Sequence, residues 1–306
     1  MTLGLNRILS VLTLLMLALT AGIGAPAGRS APSAPAILAP GASLGLALGL
    51  SVAHNLRDLG GYQTTDGRHV VYGKVYRSDQ FYPTTAADRA ALAGTPIRSV
   101  FDLRTEGEIA ASPDQLPHGW TYRNLNVLAD EGTEIAGQVR NLMRDPRKAS
   151  VEFGRPGRVD EMLEATYRKV VSLPSALSGY GELYRGLVDP ALQAGVFHCA
   201  TGKDRTGWAA AALLTLLGVP RATVYADYLR STDYLLPFYA KKIDAFVAAG
   251  GDRALITTFY SVKAEWLDAA FDEMTRRYGT IENYFTTGLG IDTGQQAELK
   301  DKLLTS

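Results

Sequence analysis

The sequence predicts an α/β protein with a central, largely parallel sheet flanked by helices. Two patterns carry this expectation. Short apolar runs of strand length alternate with helix-patterned segments as far as residue 198, and from Thr206 onward the spacing is helical. No internal repeat interrupts the series, and 46% hydrophobic residues in a chain of 306 suffice for one large core. The 31 Lys+Arg balance the 31 Asp+Glu, which excludes a polyanion-coating basic protein and a disordered acidic one. Affinity for an anionic ligand must then come from a local site.

Taken in order, the first residues are not fold. Met1–Arg7 is basic, Ile8–Leu19 is apolar apart from Ser10 and Thr13, and small residues follow (TAGIGAPA). This is the charge, apolar run and small-residue exit of a secretory signal peptide, assigned to residues 1–27. The chain is then expected to be secreted or periplasmic. An uncleaved N-terminal anchor is the alternative, because the uncharged stretch continues to Gly28. Residues 28–45 form a Pro/Ala-rich linker, and residues 46–306 a single domain with no further membrane span.

Within the domain, Gly45–Leu50 reads as a first strand or a packed arm. Strands are expected at Val70–Tyr76, Ile97–Leu103, Tyr122–Leu128 and Gly195–His198, with a short helix at Asp88–Leu92. Ile135, Val139, Leu142 and Met143 give helical spacing to an insertion over 133–171, broken at Arg155-Pro156-Gly157. Further helices are expected at Tyr180–Leu187, Thr206–Leu217, Arg221–Arg230, Leu235–Ala249, Val262–Tyr278, Ile281–Thr287 and Thr293–Leu304. Gly218-Val219-Pro220 and Gly250-Gly251-Asp252 mark turns between them.

Cys199 is the one cysteine, so neither an intramolecular disulfide nor a multi-thiolate metal site can form. The four histidines (His54, His69, His118, His198) show no zinc spacing. Cys199 lies in Val196–Gly207, V-F-H-C-A-T-G-K-D-R-T-G, where a strand ends in a short loop that runs into an Ala/Leu-rich helix. Such a loop aims successive N–H groups of Ala200, Thr201, Gly202 and Lys203 at one spot, with the positive end of a helix dipole behind them. That spot suits a tetrahedral oxyanion. The same field favours a thiolate at the start of the loop, and the thiolate is the nucleophile. Arg205 closes the loop with a planar fork for two phosphoryl oxygens. Thr206 can donate its hydroxyl to the sulfur, and Gly207 opens the helix.

With these residues in place, the chain resembles the cysteine-dependent tyrosine-phosphatase superfamily, whose signature is His-Cys, five residues, then Arg-Ser/Thr. It looks like the bacterial secreted tyrosine/lipid phosphatases with an HCxxGKDRTG phosphate loop. Asn55–Tyr62, Gly73–Ser78, Phe101–Thr105 and Tyr278–Tyr284 resemble further blocks of those proteins, so the resemblance runs from about residue 50 to the C-terminus. It implies the cysteine-phosphatase fold with one catalytic domain, no metal or cofactor, and a phosphocysteine intermediate. The partners implied are a phosphoprotein, phosphotyrosine first with dual specificity, or alternatively a phosphoinositide or inositol phosphate, and no nucleic acid. A phosphate-binding module without turnover would require Cys199 or Arg205 to be replaced.

The proton donor has two candidates. No Trp-Pro-Asp triplet occurs, and Trp120 reads as a core aromatic. Resemblance favours Asp204, inside the loop itself; its alternative is a bracing carboxylate paired with Arg57 or Arg104. Asp130 follows the third strand, placed like the acid of dual-specificity phosphatases. Lys203 adds a second charge that suits a polyphosphorylated substrate. Asp102 with Arg104 could form a buried pair, and Arg57 with Asp58 could brace the loop. Arg140, Arg144, Arg147 and Lys148 lie in the insertion, which is placed where a lid would be.

Overall fold

The computed structural model describes residues 37–131, 144–192 and 194–306. The expected leader, the first half of the expected linker (28–36), Arg140 and the Ile135–Met143 stripe lie outside the described residues. Among the described residues five strands form one sheet in the order β1-β2-β5-β3-β4. They are β1 (Arg57–Asp58), β2 (Val75–Ser78), β3 (Ile97–Asp102), β4 (Thr121–Asn124) and β5 (Ala194–His198). Only the β1–β2 pair is antiparallel. Parallel strands need both faces covered, and β2 and β5 are buried at every position.

The register fixes where chemistry can occur. Ser78 of β2 and Asp102 of β3 both pair with His198 of β5, so three parallel strands end level with one another. Ligand sites of parallel sheets lie at such carboxyl ends, and Cys199 is the next residue there.

Helices α1 (Leu44–Ala47), α2 (Ala86–Ala93), α3 (Glu106–Ala111), α4 (Pro146–Phe153), α5 (Arg158–Ser172) and α6 (Pro174–Val188) come before β5. After it come α7 (Arg205–Leu216), α8 (Arg221–Ala248), α9 (Arg253–Tyr260), α10 (Ala264–Tyr278), α11 (Ile281–Asn283) and α12 (Thr293–Leu303). Helix α7 is apolar all round and buried along nearly its whole length, which makes it the central helix of the core. Thr85 with Asp88 and Thr105 with Glu108 form capping boxes that start α2 and α3.

Several sequence expectations need correction. Gly45–Leu50 is not a strand, because Ser43 caps the N-terminus of α1 there. The strand expected at Val70–Tyr76 begins only at Val75; Gly73 turns the chain at φ 76°, and Val70 makes just a bridge to Leu304. The strand expected to reach Leu128 stops at Asn124, whose side chain bonds back to the Asp102 and Arg104 carbonyls. The two helices expected over 221–249 are one, α8, with Pro237 inside it. Its buried stripe (Val224, Asp227, Tyr228, Ser231, Leu235, Tyr239, Ile243) runs through the supposed break, and two polar residues in that stripe disguise it. Helix α6 starts six residues before Tyr180, at Pro174, as proline at a first helical position allows. The break at Arg155-Pro156-Gly157 is present, with Gly157 at φ 79°. No helix among the described residues is long and apolar enough to cross a membrane.

Candidate active site

The Cys199–Arg205 loop is shaped by what holds its carbonyls. Asn55 Nδ2 donates to the Thr201 and Gly202 carbonyls at 3.1 and 3.0 Å, Arg77 Nη2 to the Gly202 carbonyl at 2.9 Å, and Gln80 N to the Ala200 carbonyl at 3.3 Å. In a trans peptide the N–H points opposite its C=O. Drawing these three carbonyls outward turns the N–H groups of Thr201, Gly202 and Lys203 toward the inside of the loop. Gly202 sits at φ 67°, and a Cβ there would lie 2.2 Å from the Ser78 carbonyl oxygen. Only glycine permits that approach.

Cys199 lies at the base of the loop, 1% exposed. Arg205, the first residue of α7, is fixed by Glu108 of α3. Nη1 donates to Oε2 and Nη2 to Oε1, both at 2.7 Å, and Nη1 also reaches the Leu103 carbonyl at 3.3 Å. This end-on grip leaves Nε–H and the outer Nη2–H as a free parallel fork. Burial alone would raise the Glu108 carboxyl, but Arg205 outweighs it and holds the group down at about 2. Glu108 went unrecognised in the sequence, where Thr105-x-x-Glu108 signals only a helix start.

Beneath the loop, Asp227 of α8 joins two buried guanidiniums, Arg57 Nε at 2.7 Å and Arg77 Nη1 at 2.6 Å, and accepts from the Tyr62 hydroxyl at 3.0 Å. Arg57 therefore does brace the site, through Asp227, whereas Asp58 accepts from the turn amides of Gly60 and Gly73. The expected Asp102–Arg104 pair is present and fully buried at 2.7 Å, and Arg104 also binds Asp114 at 2.7 Å. His198 Nε2 lies 3.0 Å from Asp114 Oδ2, out of line for a hydrogen bond, so the attraction is that of an ion pair. Burial works against a charged imidazole, yet Asp114 and Asp102 hold His198 up at about 9. Asp102, Asp114 and His198 have the spacing of metal ligands, but Arg104 already engages both carboxylates. Asp79, level with Cys199 on the neighbouring strand, is pushed up to about 7 by burial, against the hydrogen bond from Asn55 N.

These groups set a pH dependence of stability. Asp79 is raised above the ordinary 3.8 and His198 above 6.5, so the fold holds protons that the unfolded chain releases, and stability falls as pH rises through each interval. Glu108 and Asp102 are lowered to about 2, and their contribution is lost as pH falls from the ordinary carboxylate range toward that value. Urea midpoints should peak close to the ordinary carboxylate range and decline above it in two steps, the first between 3.8 and about 7 and the second between 6.5 and about 9. Asp79→Asn should remove the first step and His198→Asn the second.

The remaining sequence candidates separate. Asp204 sits at the N-terminus of α7, where Oδ1 accepts from the Tyr167 hydroxyl at 3.0 Å and lies 3.6 Å from Lys203 Nζ. It pairs with neither Arg57 nor Arg104. Asp130 makes its contacts elsewhere: Oδ2 accepts from Ser175 N at 2.7 Å and caps α6, and hydrogen bonding from the Ser175 side chain and then its amide lowers the Asp130 carboxyl. Lys203 is 3% exposed, with Nζ donating to the Ser261 carbonyl at 2.9 Å and resting 5.3 Å over the Trp266 ring. The Thr206 hydroxyl is buried without a partner, so the bond to sulfur expected from the sequence is not made in this state. Gly207 faces the Tyr228 ring, where a Cβ would meet ring carbons at 3.0 Å. Trp120 is partly buried and packs edge-on against Phe81 at the margin of the core.

A family model described as the tyrosine phosphatase family matches residues 48–305. A Cupriavidus necator protein, provisionally named a tyrosine-protein phosphatase, is 30% identical over 251 residues, covering 81% of this chain and 86% of its own. The triple specificity protein phosphatase PtpB of Mycobacterium tuberculosis is 27% identical over 235 residues, 69% of this chain and 84% of its own. A tyrosine-protein phosphatase of Nostoc commune is 27% identical over 227 residues, 72% of this chain and 70% of its own. With a match over most of its length, the chain belongs to the tyrosine phosphatase family and is a protein-tyrosine phosphatase.

Proposed function

We propose that the chain is an exported phosphatase that hydrolyses protein phosphotyrosine, with dual specificity toward phosphoserine and phosphothreonine, through a phosphocysteine intermediate. The observation that carries this is the join of Cys199 to a loop whose amides face inward and whose far end is the free fork of Arg205. Cys199 Sγ attacks phosphorus as the bond to the leaving oxygen breaks, and Asp204 gives that oxygen its proton. Water then attacks the phosphocysteine, Asp204 takes the proton back, and the thiolate departs. Nε–H and Nη2–H of Arg205 and the inward amides hold the equatorial oxygens, whose charge is greatest in the transition state. The buried Thr206 hydroxyl is a donor still unspent.

Several observations favour a protein substrate. Cys199 lies deep, and a tyrosyl ring carries its phosphate farther from the peptide than a seryl side chain does. The triple specificity in the name of the PtpB relative supports a site open to more than one phosphoester. Lys203, the residue that suggested a polyphosphorylated lipid, is taken up by Ser261, Asp204 and Trp266. Export rests on the residues 1–27 leader, which is followed here by the 28–45 linker and a 46–306 catalytic domain.

The test is a set of initial rates on phosphotyrosine peptide, phosphoserine peptide and phosphatidylinositol 3-phosphate, with chelator present, together with acid quench of the reaction. Phosphotyrosine should be fastest, and a phosphoryl adduct should appear on the Cys199 peptide. Fastest turnover of the lipid, or an adduct elsewhere, would overturn the assignment.

A further inference from the structure

The Asp204 carboxylate is held by residues outside the loop. Tyr167, in the middle of α5, donates its hydroxyl to Asp204 Oδ1 at 3.0 Å, and its own oxygen lies 2.6 Å from the Tyr228 hydroxyl of α8. Both phenols are buried, and burial raises both well above the ordinary range, so they stay neutral donors at any working pH. Since Tyr167 spends its proton on Asp204, Tyr228 supplies the proton between the two hydroxyls. The order of donation is fixed from Tyr228 to Tyr167 to Asp204, and each bond polarises the next.

This arrangement treats the two carboxylate oxygens differently. Oδ1 is occupied by Tyr167 and faces Lys203 at 3.6 Å, while Oδ2 takes no hydrogen bond from the described residues. Tyr167 itself cannot drift. It packs edge-on against Tyr228 with ring centroids 6.2 Å apart and lies against Trp266 of α10. Helix α5 packs on α10 and buries Val159, Leu163, Tyr167, Val170 and Val171.

We propose that Tyr167, backed by Tyr228, is a positioning residue for proton transfer: it fixes Asp204 through Oδ1 and so assigns the proton to Oδ2. The insertion then does more than lie near the site, because one of its helices sets the geometry of the acid. The inference rests on the reading that Asp204 moves the proton.

A pair of substrates separates proton transfer from general damage. Phenyl phosphate has a poor leaving group and needs an acid, whereas 4-nitrophenyl phosphate has a good one and scarcely does. Rates are compared as kcat/KM, which covers phosphoryl transfer to Cys199 and not the hydrolysis step that both substrates share. Tyr167→Phe should lower kcat/KM for phenyl phosphate by about tenfold or more. It should leave kcat/KM for 4-nitrophenyl phosphate nearly untouched. Tyr228→Phe should give a smaller loss of the same kind, and Tyr167→Phe should cost nothing further once Asp204→Asn is present. Equal slowing of both substrates by Tyr167→Phe, or an added loss in the Asp204→Asn background, would overturn the inference. Should Asp204→Asn itself slow both substrates alike, the assignment of the acid is at fault. A split with Asp204→Asn and none with Tyr167→Phe would leave that assignment standing and remove Tyr167 alone.

Discussion

Replacing Cys199 by serine is expected to lower kcat by on the order of 10⁴-fold or more while phosphate binding and folding persist. The exchange is nearly isosteric at a buried position, so little packing is lost. What is lost is the nucleophile's ionisation. A serine hydroxyl needs a base beside it, and the neighbouring imidazole cannot serve. His198 stays protonated up to about 9, its Nδ1 meets the Cys199 carbonyl at 3.1 Å, and its Nε2 faces Asp114. Steady-state rates on phosphotyrosine peptide, with inorganic phosphate affinity measured by calorimetry, check both halves. Retained activity in Cys199→Ser would refute nucleophilic catalysis by this residue.

Arg205→Lys should come next in severity, with kcat reduced by roughly 10²- to 10³-fold and a smaller rise in KM. The substitution preserves charge but removes the planar fork, which is the part aimed at oxygens that gain charge only in the transition state. Lysine also cannot answer both oxygens of Glu108, which lies in a bidentate pair with Arg205 at 2.7 Å. Leaving a buried ion imperfectly paired costs about 3–5 kcal/mol when a partner is removed outright, and a fraction of that is expected here as a lower thermal midpoint. Single-turnover kinetics on phosphotyrosine peptide measures the chemical step. A kcat within about threefold of wild type would remove Arg205 from the transition state.

The parts of this site legible in the sequence are those that are local. Cys199 through Gly207 occupy consecutive positions, and a strand, a tight loop and an apolar helix can each be read from spacing over a few residues. The Asp102–Arg104 pair is legible for the same reason. Glu108 does cap α3, but a capping pattern does not report that the same carboxylate also anchors Arg205. Asn55, Asp114, Tyr167, Tyr228 and Asp227 act across long separations; Asn55 reaches a carbonyl 146 residues away. No periodicity reports such a contact, and only the closing of the sheet brings the partners together. The fold shows the same division. Helix α8 is misread as two because Asp227 and Ser231 look like solvent residues, when burial and two arginines make them part of the core stripe.

The cluster under the loop has one more implication. Arg57 and Arg77 share a single carboxylate, Asp227, in an environment with almost no water to screen the excess. Arg77 passes that excess on, since its Nη2 is bonded to the Gly202 carbonyl of the loop. On the proposed function, a phosphate dianion seated in the loop would meet this shared positive charge through Arg77, so substrate binding and the packing of α8 under the loop would be energetically linked.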